Sequence, residues 1–244
     1  MPLPIYFINL ERDVERRRLL ESQFQELSLP GSRLDAVWWD QLSPKEQAQL
    51  YSPQLNRQQF FKPLRNGEKG CYASHLKAWQ ALLDSSAQAM VILEDDVRIL
   101  PGFTAALDQI EQLPASWDMI KLLSRPVEKI RAARPLIPGH QLIQYQRVPS
   151  WTAGYVVSRT GAEKLLRSRM PFGRPVDVDI RFWFENDLRV FGVYPSLLAL
   201  DELSDISSIW TERETLTTAQ RLHKFVMKVR LTLGNLLARQ PHLP

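Results

Sequence analysis

The chain has 244 residues, 44% of them hydrophobic and 24% charged, which suits one domain with appendages and excludes a disordered chain. Its single cysteine, Cys71, excludes an intrachain disulfide framework and a four-cysteine zinc site, and favours a reducing compartment. The net charge of +4 is a C-terminal feature: from Leu216 onward there are Lys and Arg but no acid, and the rest is about neutral, which argues against nucleic acid as partner and for an anionic surface near the tail.

The start reaches Glu11 and Arg12 without a basic leader, and no apolar run approaches the roughly 18 residues of a membrane span. A cytoplasmic protein is expected. Pro4–Leu10 reads as a buried strand, and Glu11–Leu27 as a helix burying Leu19, Leu20, Phe24 and Leu27. Ser32–Trp38 reads as a short strand, and residues 40–65 as a loop with short helical pieces. Glu68–Leu83 has a helical stripe of Leu76, Trp79, Leu82 and Leu83. Ala89–Leu93 is a strongly apolar strand that stops at Glu94–Asp95–Asp96. A helix over Gly102–Leu113 and a strand over Trp117–Leu123 follow. Ser124–Val148, basic and proline-containing, reads as an irregular loop. Thr152–Ser158 is a strand, Thr160–Arg167 a short helix, and Val190–Leu200 a final strand broken by Pro195. Alternating strands and helices predict an α/β fold with a mostly parallel central sheet, with ligands outside the carboxyl ends of the strands. The domain is expected to span residues 1–210. Residues 211–244 form a basic amphipathic tail, with Leu222, Phe225, Val226, Val229, Leu233, Leu236 and Leu237 at helical spacing. Such a helix can lie in a membrane interface, or pack on the domain or on a second subunit.

Glu94, Asp95 and Asp96 place three carboxylates side by side at the end of a buried strand. Like charges so close need compensation, and a hard divalent cation supplies it. On an extended segment Glu94 and Asp96 would face one way and Asp95 the other. A solvated acidic turn or helix start is the competing reading.

Four segments resemble glycosyltransferase family 25, which includes bacterial lipooligosaccharide sugar transferases: FINLERDVERR (Phe7–Arg17), GEKGCYASHLKAW (Gly67–Trp79), VILEDDV (Val91–Val97) and AGYVVSRTGAEKLL (Ala153–Leu166). PVDVD (Pro175–Asp179) is a weaker match. The resemblance implies a GT-A type, Rossmann-like nucleotide-sugar transferase fold. It implies Mn²⁺ or Mg²⁺ bridging Glu94 and Asp96 to the diphosphate of a UDP-sugar. It further implies inverting transfer of a hexose, galactose or a relative, to a bacterial surface glycan carried on a lipid-linked oligosaccharide. After Val37 the family tends to an acidic residue and glycine, where this chain has Trp38–Trp39.

Within that frame each candidate has a chemical role. Asn9, ending the first strand, offers an amide to a uracil or ribose edge, and Arg12 a guanidinium to the diphosphate. Glu68, Ser74, His75 and Asp95 complete the nucleotide side, and His75 can equally be a structural histidine holding the acidic motif. Asp177 and Asp179 are candidate general bases, alternating so that an extended chain would turn both to the same side. Trp151 can stack on the acceptor, and Lys121, inside an apolar strand, needs an acid nearby or a path to water. Cys71 reads as packed. Another metal-dependent nucleotide-processing enzyme, or a non-catalytic sugar-binding module, remains as an alternative reading.

Overall fold

The structure, a computed structural model, describes residues 2–200, 216–238 and 242–244. The N-terminal half contains β1 (Ile5–Asn9), α1 (Val14–Glu26), β2 (Gly31–Asp35), α2 (Pro44–Leu50), α3 (Pro53–Gln59), α4 (Asn66–Asp84), β3 (Ala89–Glu94), β4 (Val97–Ile99) and α5 (Phe103–Glu111). Then come β5 (Met119–Lys121), β6 (Ile130–Ile137), β7 (His140–Tyr145), β8 (Gly154–Ser158), α6 (Arg159–Ser168), α7 (Val176–Ile180), β9 (Val190–Tyr194), β10 (Leu198–Leu200) and α8 (Thr218–Leu237). The domain boundary expected at residue 210 lies outside the described residues.

Eight strands form one sheet in the order β2-β1-β3-β8-β5-β9-β7-β6, and β10 pairs with β4. The α/β reading holds, but the sheet is mixed rather than mostly parallel. β1 runs parallel to β2 and β3, and β5 to β9. The β3–β8, β5–β8, β7–β9 and β6–β7 pairs are antiparallel. Alternation of strands and helices does not fix strand direction when a hairpin intervenes, and one does here. The expected loop over Ser124–Val148 contains β6 and β7, joined at Pro138–Gly139, where Gly139 takes φ +81°. A Pro-Gly pair is the chemistry of a tight turn. β6 is an edge strand, so it tolerates Pro135 and alternating half-exposed residues.

The sheet is covered on both faces. One core gathers Trp79, Leu82 and Tyr72 of α4, Leu165 of α6, Ile180 of α7, and Met227 and Leu231 of α8. The other gathers Leu20 and Phe24 of α1 and Phe103 and Ile110 of α5. Leu19 and Leu27, expected in the α1 stripe, are exposed. The tail helix packs on the domain: Trp183 Nε1 donates to Asn235 Oδ1 (3.0 Å), and Arg230 pairs with Glu185 (3.0 Å). Gly234, unfavourable for helix propensity, is needed because a Cβ there would meet the Phe184 ring at 2.0 Å.

Candidate active site

The acidic trio sits where three neighbouring strands deliver their ends to one edge. β1 and β3 are parallel with Ile8 opposite Glu94, so Asn9 and the trio emerge together. β8 is antiparallel to β3, so the residues just before it, Trp151 and Thr152, arrive at the same place, and Glu94 N–H donates to Ala153 O (2.8 Å). Lys121, the last residue of β5, faces Tyr155 across the next pair. Gly154 lets these strands close, since a Cβ there would lie 2.0 Å from Leu198 Cδ1.

The three carboxylates have three different environments. Glu94 Oε1 accepts from Thr152 Oγ1 (2.8 Å) and lies 3.3 Å from His75 Nε2. Burial works against its charge, but these partners outweigh burial and hold its pKa below the ordinary value. Asp95 accepts from Asn9 Nδ2 (2.7 Å) and pairs with Arg16 (3.3 Å). Burial nevertheless raises its pKa. Asp96 has weaker help, from the Arg16 charge and its own backbone N–H, and its Oδ1 is buried without a hydrogen-bond partner. Burial, then the charges of Glu94 and Asp95, push its pKa up to about 7.

An orphaned, buried carboxylate oxygen beside a second carboxylate is the donor set a hard divalent cation takes. Among the described residues, Cys71, His75 and Glu94 also bring ligand atoms within 4.8 Å of one another. Burial and the charges of Glu94, Asp177, Asp96 and Glu68 raise the Cys71 thiol well above its ordinary pKa, so it stays protonated. Both His75 nitrogens have partners, Tyr155 Oη at 2.8 Å and Glu94. The residues therefore fit an oxygen-bound cation on Glu94 and Asp96 better than a thiolate-bound one.

Several nucleotide-side expectations meet a different geometry. Asn9 is buried and its amide is spent within the protein: Nδ2 donates to Asp13 O and Asp95, and Oδ1 accepts from Arg33 Nε (3.0 Å). It anchors Asp95 rather than offering an edge to a base. Ser74 lies two turns inside α4, not near its start. Its Oγ donates to Gly70 O (2.7 Å) and accepts from Val37 N–H (2.8 Å), fastening α4 to the segment after β2. Glu68 accepts from Arg65 N–H (2.8 Å) as part of a capping box at the start of α4. His75 takes the structural role, buried and bridging Tyr155 to Glu94. Arg12 is exposed at the rim, its guanidinium 4.5 Å from the Trp38 ring centroid. Arg16, one turn on, is the arginine that reaches the acidic motif. Arg16 and Arg17 are candidates in the sequence beside Arg12, and the helical course of α1 from Val14 selects Arg16.

Asp177 and Asp179 part company because PVDVD is helical, not extended. On α7, positions two apart point in different directions. Asp179 turns into a buried ionic network, accepting from Tyr72 Oη (2.5 Å) and Arg174 Nε (2.8 Å) and pairing with Arg169 (3.1 Å). Glu185 completes it from the other side of Arg174 (2.6 Å). Asp177 is half-buried, with Lys121 and Glu94 among the charges that act on it. Burial raises its pKa, Lys121 opposes that rise, and Glu94 adds to it. Lys121 is fully buried and donates to Pro149 O (2.7 Å) and Ser150 O (3.0 Å). Burial lowers its pKa to about 7 despite Asp177. A cleft of about 430 Å³ is lined by Ser124, Arg125, Trp151, Ser196 and Leu198. Trp151 holds φ +79°, a left-handed value unusual for a bulky residue, with Arg125 stacked 5.4 Å from its ring centroid.

Comparison with known proteins finds relatives of this chain. The family profile described as "Glycosyltransferase family 25 (LPS biosynthesis protein)" matches residues 2–180. "Procollagen galactosyltransferase 1-B" of Xenopus laevis is 27% identical over 216 residues, 80% of this chain and 35% of that protein. "Glycosyltransferase 25 family member" of Anopheles gambiae is 32% identical over 195 residues, 75% of this chain and 32% of that one. "Procollagen galactosyltransferase 2" of Homo sapiens is 26% identical over 250 residues, covering 90% and 40%. The chain thus spans about a third of the length of the curated relatives it matches.

Proposed function

Because the chain belongs to glycosyltransferase family 25, we propose that it is a metal-dependent glycosyltransferase of the GT-A type. It would move a hexose, galactose in the first instance, from a UDP-sugar to a hydroxyl of a glycan. The observation that carries the reading is Asp96 Oδ1, buried and partnerless beside Glu94 at the end of β3. Galactose is suggested by the names of the procollagen galactosyltransferase relatives. A bacterial surface glycan on a lipid-linked carrier is suggested by the family description.

In this reading Glu94 and Asp96 hold Mn²⁺ or Mg²⁺, which when bound offsets charge on the leaving diphosphate. His75 and Thr152 fix the orientation of Glu94, as outer partners of a metal ligand do. Arg16 and Asn9 clamp Asp95 and so set the angle of the motif. The acceptor enters the cleft beside Trp151, whose ring offers a flat face to a sugar. Asp177 accepts the proton of the acceptor hydroxyl, and its raised pKa makes it a stronger base than a free aspartate. The acceptor oxygen bonds to the anomeric carbon as the bond to the diphosphate oxygen breaks, with inversion, and UDP departs. Asp179, with its oxygens engaged, holds α7 in place.

The test is hydrolysis and transfer from a panel of nucleotide sugars with Mn²⁺, Mg²⁺ or EDTA, using the wild type and Asp96→Asn. Turnover of one UDP-sugar, abolished by EDTA and by the substitution, supports the site and names the donor. Turnover indifferent to both overturns the metal assignment. Metal-dependent UDP binding without turnover of any donor, even with glycan acceptors supplied, would favour a non-catalytic module.

A further inference from the structure

The tail helix α8 has two apolar faces, and the domain uses only one. Its inner face carries Met227, Leu231 and Asn235, all buried, with Gly234 seated on Phe184. At about 100° per residue, Leu222, Phe225, Val229, Leu233 and Leu236 fall on the diametrically opposite side. All of them are exposed, Phe225 to 63% and Leu236 to 74%. A lone exposed leucine needs no explanation, but a continuous row of large apolar side chains along a 20-residue helix does.

The charges flanking this row say what it meets. Arg221 and Lys228 border one side of the row, while on the other Arg230 turns to Glu185 of the domain. From residue 216 to the C-terminus there is no Asp or Glu. An apolar row with a cationic border and no acid in the helix is the pattern of a helix lying in the headgroup region of an anionic bilayer. A second copy of this helix would set Arg221 and Lys228 against like charges, whereas anionic headgroups would pair with them. No described helix is long and apolar enough to cross a membrane, so the contact is with the surface. Polar contacts also tie the helix to the domain. Arg230 pairs with Glu185, which pairs with Arg174, which pairs with Asp179 on α7. Arg147 donates to Thr232 Oγ1 (2.8 Å), and Lys224 sits 4.8 Å from the Phe61 ring centroid. We infer that α8 is a pre-formed interfacial helix that docks the whole domain, outer face down, on an anionic lipid surface.

The experiment is co-sedimentation of the full chain with phosphatidylcholine vesicles with and without phosphatidylglycerol, alongside sedimentation velocity without lipid. The wild type should bind the phosphatidylglycerol vesicles and bind them less at high salt. Phe225→Ser and Leu236→Ser should each weaken binding by roughly tenfold or more, from the apolar area each would bury. Arg221→Glu with Lys228→Glu should weaken it while leaving the apolar row intact, so the result does not hang on one kind of variant. Thermal unfolding should be unchanged, since all four side chains point away from the domain. Failure to bind, equal binding of the apolar variants, or equal binding to neutral vesicles would overturn the inference. So would a wild-type dimer that Phe225→Ser dissociates, which would give the face to a second copy.

Discussion

Asp177→Asn and Asp179→Asn should behave as opposites, although the two residues are separated by one valine. Asp179 is 3% exposed and Arg174, its closest cation, 1%. Breaking a buried, hydrogen-bonded pair by neutralising one member costs about 3–5 kcal/mol. The amide keeps an acceptor for Tyr72 Oη, so the lower end applies. At about 2–4 °C per kcal/mol for a chain of this size, Tm should fall by roughly 6–12 °C. Asp177 is half-buried, and burial opposes its charge, so the neutral isostere should shift stability by no more than about 1 kcal/mol. Its transfer rate, however, should fall by about 10²–10⁴, the contribution of a positioned general base. Thermal unfolding and steady-state transfer on the two purified variants decide the matter. Loss of turnover at unchanged Tm for Asp179→Asn, with an active Asp177→Asn, would reverse the roles and refute the placement of α7.

Three further outcomes are expected. Mn²⁺ binding by calorimetry should tighten about tenfold per pH unit up to about 7 and then level off, because the Asp96 proton must leave first. Correspondingly, the folded pKa of Asp96 exceeds its ordinary value of 3.8, so the metal-free chain should lose up to about 1.4 kcal/mol per pH unit from there to about 7. A flat binding profile would remove Asp96 from the ligand set. His75→Ala, which strips Glu94 and Tyr155 of a shared partner, should weaken metal binding by about 10–100-fold, and unchanged affinity would make His75 a packing residue only. Gly234→Ala should destabilise by about 1–3 kcal/mol despite the gain in helix propensity, because the Phe184 ring must move; a higher Tm would show that α8 is not seated on Phe184.

What the sequence made legible follows from where the physics is local. Ala89–Glu94 and Asn66–Asp84 are uninterrupted apolar or helical patterns, and their bounds fall within two residues of expectation. α8 shows its period and its two faces in the sequence, though which face meets Trp183 and Glu185 does not appear there. The β6–β7 hairpin is not visible in the composition because the edge strand β6 alternates half-buried with exposed residues and carries Arg131, Arg134 and Pro135, although Pro138–Gly139 is a readable turn signal. Strand direction was not readable, because the pairing of β8 between β3 and β5 joins residues far apart in the chain. PVDVD misled through its period: five residues with alternating valines suit a strand, yet Pro175 at the N-cap and the pull of Arg174 on Asp179 select a helical turn.

The acidic motif shows why residue type alone could not assign these roles. Three adjacent carboxylates look equivalent in sequence, and as equivalent charges they would repel one another. The fold makes them unequal. Asp95 is given to Asn9 and Arg16, and so ties β3 to the end of β1 and to α1. Glu94 is oriented by a histidine from α4 and a threonine from the segment before β8. Only Asp96 is left with a buried oxygen and no partner. A partnerless carboxylate in that setting is costly for the protein to keep. Asn9, Arg16, His75 and Thr152 together read as the machinery that keeps Asp96 open. Asn9 and His75 thus serve the carboxylates through hydrogen bonds within the protein, Asn9 to Asp95 and His75 to Glu94.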